Sequence, residues 1–102
     1  MVRHRCAVVR INNKLMEFVS ARLMYDDEGP LNVWNVALEG VTDGKLIIDA
    51  LAKASTLSVD ITSSDGRAYA GEASVAELRR FTEHRRHVCD ARLTGNGPLR
   101  RV

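Results

Sequence analysis

The sequence predicts a mainly β domain (all-β to α+β), an antiparallel β-sandwich or partly open barrel with one flanking α-helix. Three observations carry this. Residues 56–62 alternate, with Leu57, Val59 and Ile61 on one side and Ser58, Asp60 and Thr62 on the other, the period-2 signature of a half-buried strand. Ser63-Ser64-Asp65-Gly66 follows, a turn in which Asp65-Gly66 can take the positive φ of a tight hairpin. Apolar residues recur at helical spacing over residues 44–54, through Leu46, Ile47, Ala50, Leu51 and Ala54. The 102 residues make one domain with a single core, and with 5% aromatic residues that core depends on Val, Leu, Ile and Ala.

Taken in order, residues 5–11 form a first strand rich in β-branched residues, and Asn12-Asn13 is a two-residue turn. Residues 14–25 read as a long second strand, with Leu15, Val19, Ala21 and Leu23 on one face and Met16 and Phe18 on the other. A helix can also be drawn through Leu15, Met16, Val19 and Leu23. An acidic loop, Asp26-Asp27-Glu28, ends that element at Gly29-Pro30. Residues 33–38 are a third strand pointing Trp34, Val36 and Leu38 inward, closed by Gly40, and Thr42 or Asp43 can cap the helix. Beyond the turn at Asp65-Gly66, a strand runs to Leu78, a polar excursion follows, and Cys89, Ala91 and Leu93 return on one face. Residues 97–102 read as a flexible C-terminal tail.

Fifteen basic and thirteen acidic residues leave a net charge of +2, which by itself implies no nucleic acid. Cys6 and Cys89 have no metal-site spacing and sit in apolar runs, as reduced core residues; a disulfide joining the first strand to the last is the alternative. The start has no signal-peptide pattern and no run is long enough to span a bilayer, so a soluble cytoplasmic protein is expected. His84 and His87 lack companions for a metal, and a Cys89–His87 nucleophilic pair is set aside because strand neighbours point to opposite faces. With no phosphate-binding or nucleophile motif either, the sequence offers no catalytic residue, metal or cofactor.

The one concentration of chemistry is Arg79-Arg80 and Arg85-Arg86, with His84 and His87 among them and Arg100-Arg101 beyond. These arginines can be a solvated connection paired with Glu77, Glu83 and Asp90. They can also dock the Asp26, Asp27 and Glu28 loop of a neighbouring subunit, or contact phosphates. Phe81 is the sole aromatic among them, which disfavours single-strand binding by stacking.

Tyr69, Gly71, Glu72, Ala73 and Val75, followed by Leu93, Gly95, Gly97 and Leu99, resemble a pattern of phage tail tube and related tail structural proteins. In that family an aromatic-x-Gly strand precedes a strand closing in Leu-x-Gly-x-Gly-x-Leu. The loop at residues 26–31 is briefer than the family's long hairpin, and residues 79–87 are more basic. The resemblance implies a β-sandwich with one helix, joined edge to edge in rings through its open strands. It also implies a non-enzymatic structural subunit of a virion, partnered by copies of itself and other tail proteins. The rival reading is a small β-barrel module that binds nucleic acid or a protein through residues 79–86.

Overall fold

A computed structural model describes residues 2–26 and 33–102. Along them run β1 (Val2–Ile11), β2 (Lys14–Leu15), β3 (Ser20–Tyr25), β4 (Trp34–Val41), α1 (Lys45–Lys53), β5 (Leu57–Ser63), β6 (Ala68–Glu83), β7 (Arg86–Gly95) and β8 (Arg100–Arg101). The strands pair antiparallel in the order β1-β3-β4-β7-β6-β5, and β5 pairs back onto β1. The mainly β expectation with one helix holds. The architecture is a closed six-stranded barrel with β2 and β8 outside the ring, where the sequence predicts a sandwich or a partly open barrel.

Closure has a simple cause. Both β1 and β5 carry an apolar row, and setting Val9 opposite Ile61 and Ile11 opposite Val59 leaves all four at most 2% exposed. It also pairs backbone groups that would otherwise form two open edges. The borders through which a sandwich would join its copies are thus consumed within the chain. Bulges between Cys6 and Val8, Leu38 and Val41, and Val75 and Glu77 reset the inward phase. Cys6 and Val9, three residues apart, can therefore both be buried.

Asn12 and Asn13 make the expected turn, with φ of 51° and 67°. The long second strand does not form. Arg10 faces Leu15 but Arg5 faces Arg22, so two extra residues are looped out between β2 and β3. The loop swings Met16 into the core, its N–H donating to the Val9 carbonyl at 2.9 Å, and leaves Leu15 and Val19 57% and 84% exposed. Gly44 stands at the N-cap of the helix and offers no side chain, while Asp43, one residue before it, accepts from the Lys45 N–H at 3.4 Å and from Lys14 Nζ at 2.6 Å. Of its apolar stripe only Ile47 and Ala50 are buried, while Leu51 and Ala54 face solvent.

Two further corrections concern the second half. The polar excursion is no loop: β6 and β7 pair without interruption from Glu77–Arg92 to Glu83–Arg86 and turn at His84 and Arg85, with φ of 50° and 64°. Nor are residues 97–102 a loose tail. Leu99 is buried in the core, Arg100 and Arg101 pair with Ala70 and Tyr69, and the Val102 N–H donates to the Ala68 carbonyl at 2.9 Å. The final residues continue the line of β7 along β6 after a short break at Gly97-Pro98.

Cys6 and Cys89 are free thiols in the barrel wall. Burial pushes the Cys6 thiol up to about 11, and burial likewise raises Cys89. Near pH 8, Ellman's reagent should modify the native protein about a hundredfold more slowly than the urea-unfolded chain. Fast reaction of both thiols in native buffer would contradict this closed wall.

Candidate functional site

The glycine pattern converges on one side chain. Trp34, at the start of β4, lays its indole against Gly71 of β6 and Gly95 of β7. A Cβ on Gly71 would lie 2.6 Å from Trp34 Cζ2, and one on Gly95 would fall inside the pyrrole edge of the ring. The indole Nε1 donates to the Gly97 carbonyl at 2.8 Å. Gly71 and Gly95 are thus glycine because the indole occupies the space that a side chain would need, whereas Gly97 has open space around it and is favoured as glycine by its φ of 145°. Leu93 and Leu99 are core residues, Tyr69 is buried, and exposed Glu72 offers its carbonyl to the Asn96 N–H at 2.8 Å. The motif builds the barrel wall around Trp34.

Tyr69 belongs to a cluster that no spacing in the sequence announces. His4 Nε2 lies 3.1 Å from the Tyr25 hydroxyl and 3.4 Å from the Tyr69 hydroxyl, and the three ring centroids stand 5.6 to 5.9 Å apart. Burial and the adjacent Tyr25 push the Tyr69 phenol upward, so the Tyr69 hydroxyl remains a protonated donor. Nearby, Ser63 Oγ donates to Asp65, and this bond holds the Asp65 carboxyl below its ordinary range.

The basic residues occupy an arm. β5 leaves β6 at Ala73 and β4 leaves β7 at Cys89, so the two remaining strands project as a ribbon ending at His84-Arg85. Its outer face carries cross-strand pairs: Arg92–Glu77 at 2.7 Å and Arg79–Asp90 at 3.6 Å, with the Arg79 guanidinium 5.1 Å from the Phe81 ring centre. These satisfy part of the solvated-connection reading. Among the described residues, Arg80, Arg85 and Arg86 form no ion pair.

Between the arm and the start of α1 lies a cleft of about 420 Å³, lined by Gly44, Ile48, Arg80, Phe81, His87 and Cys89. His87 and Cys89 are two apart on β7 and share its inner face, contrary to the reasoning that set them on opposite faces. Burial, reinforced by Asp90, nonetheless raises the Cys89 thiol, which keeps it protonated and unreactive. Among the described residues no three His, Cys, Asp or Glu side chains could hold a metal, and no helix is long and apolar enough to cross a membrane.

Asp26 lies at the other end of the molecule from the arm tip. Exposed Asp26 follows Tyr25, which pairs with Trp34 beside the last residues of β7; Asp27 and Glu28 lie outside the described residues. The 10 residues of β7 separate that end from the arm tip, a span of roughly 30 Å. Arg67, Arg100 and Arg101 belong to the same end as Asp26, and Arg67 is 3.5 Å from Asp65 there. Comparison with protein-family models finds no match, and neither do comparisons with curated proteins and with solved structures.

Proposed function

We propose that the protein is a non-enzymatic structural subunit that assembles with copies of itself, in the manner of a phage tail or tail-like injection apparatus. The observation that carries this is the separation of charge: an arm tipped by Arg85 and Arg86 at one end, and exposed Asp26, with which the acidic run of the sequence begins, about 30 Å away at the other. A span of that length prevents the two from meeting within one chain. Between chains they meet head to tail, a heterologous contact that closes into a ring or extends as a tube. Arg79 and Arg80 flank the contact from the arm. The tail assignment rests on the resemblance of residues 69–75 and 93–99, while the barrel's closure leaves charge, rather than its wall strands, to make this contact.

Arg85→Glu combined with Arg86→Glu should abolish open-ended growth of assemblies in sedimentation velocity. Reversing Asp26, Asp27 and Glu28 to lysine should do the same, and mixing the two variants should restore growth. Wild-type protein that never grows, or variants that grow as before, would reject the reading.

A second reading has one specific observation behind it: a two-stranded ribbon with unpaired arginines at its tip suits a nucleic-acid groove. Binding to duplex DNA that weakens steeply with salt, and is lost in the same arginine variant, would favour phosphate contact.

A further inference from the structure

We infer that the outward edge of β6 on the arm is the docking site for a second copy of this chain, joined by two-fold strand addition centred on Phe81. From Ser74 to Glu83 that edge has no strand beside it, and no described backbone group bonds to it. A two-stranded ribbon is marginal alone in water, and added strands are what stabilise it. The remaining open edges among the described residues are short: the two residues of β2, the two of β8, the start of β1 before Cys6 on its β5 side, and β7 before Cys89. The edge that matches β6 in length is therefore β6 of another copy, which makes the contact isologous.

Charge and pleat then select the register. Antiparallel two-fold pairing keeps side chains on their own face only when one residue sits opposite its own copy. Centring on Arg79 or Arg80 sets like charges face to face, and centring on Thr82 sets Arg79 against the partner's Arg85. Centring on Leu78 runs into the bulge between Val75 and Glu77. Centring on Phe81 meets none of these obstacles. It places Arg79 opposite the partner's Glu83, twice, and Arg80 opposite the partner's Thr82.

The existing cross-strand partners extend these pairs across four strands. Val88 faces Phe81, so the central row is apolar: Val88, Phe81, the partner's Phe81 and the partner's Val88. Asp90 faces Arg79 and Glu83 faces Arg86, so each flanking row alternates in sign: Asp90, Arg79, the partner's Glu83 and the partner's Arg86. The barrels lie at opposite ends of this shared sheet, which leaves room for both.

Cysteine cross-linking reads the register directly. Phe81→Cys should form a disulfide dimer under mild oxidation at least about tenfold faster than an Ala52→Cys control on the exposed face of α1. Arg80→Cys and Thr82→Cys should each fail alone and cross-link when mixed. Buried Cys6 and Cys89 stay out of the reaction. Cross-linking of Phe81→Cys no faster than the control, or Arg80→Cys linking to itself, would overturn the inference. Neutralising Asp26, Asp27 and Glu28 removes the head-to-tail contact without touching the arm, so the Phe81→Cys dimer should survive it.

Discussion

Gly95→Ala is expected to lower the thermal midpoint by roughly 12–24 °C, the shift that about 3 kcal/mol produces in a domain of this size. The added Cβ would fall within the indole of Trp34, a ring that is 2% exposed and has nowhere to retreat. On its other side Gly71 already sits under Cζ2. Displacing the ring would also pull Nε1 from the Gly97 carbonyl, stranding a buried donor at about 1–3 kcal/mol. Trp34→Leu makes room for the new methyl at its own cost in packing. The double variant should therefore lose less than the sum of the two single changes. Urea unfolding followed by circular dichroism checks all three proteins, and fluorescence of the single tryptophan shows whether its surroundings have changed in Gly95→Ala. A Gly95→Ala protein that melts with the wild type would mean the ring is not held there.

That site was half legible in the sequence. The spacing of Gly71, Gly95 and Gly97 stands out, but what it accommodates is a tryptophan as far as 63 residues away. Nothing local to the glycines names Trp34. The fold divides in the same way. Leu57, Val59 and Ile61 alternate because one face meets a core and the other meets water, so a period of two reports them. The pairing of β1 with β5 has no such signature, because closure depends on two strands separated by about half of the chain.

The arm was illegible for a different reason. From Arg79 to Arg86 both faces of the ribbon meet solvent over most of their length, so no apolar row marks it as strand. Its turn uses His84 and Arg85 at positive φ, where Asn or Gly would have given a signal. Charge drew attention to these residues, and register shows what they share. Arg79 and Asp90 are eleven positions apart in the chain and face each other across the ribbon. The acidic and basic runs were likewise visible as runs, while the placement of Asp26 far from the arm tip follows only from strand register.

Truncation after Gly97 should cost about 3 kcal/mol, where removal of a flexible tail would cost nothing measurable. The loss divides into two parts of different weight. Deleting residues 98–102 removes the β8 pairing and the Val102 N–H bond to Ala68, each backbone bond contributing about 1 kcal/mol. Freeing these residues returns conformational entropy that offsets those few bonds, so the backbone part contributes little. What remains is Leu99, 3% exposed and packed into the same core as Tyr69 and Leu93. Removing its side chain costs about 2–4 kcal/mol on its own. Leu99→Ala should therefore destabilise almost as much as losing the whole segment, with the two urea midpoints close together and both well below wild type. A truncated protein as stable as the full chain would make Leu99 a passenger. A truncation far worse than Leu99→Ala would shift the weight onto β8, whose two residues would then be holding the edge of β6 through their backbone.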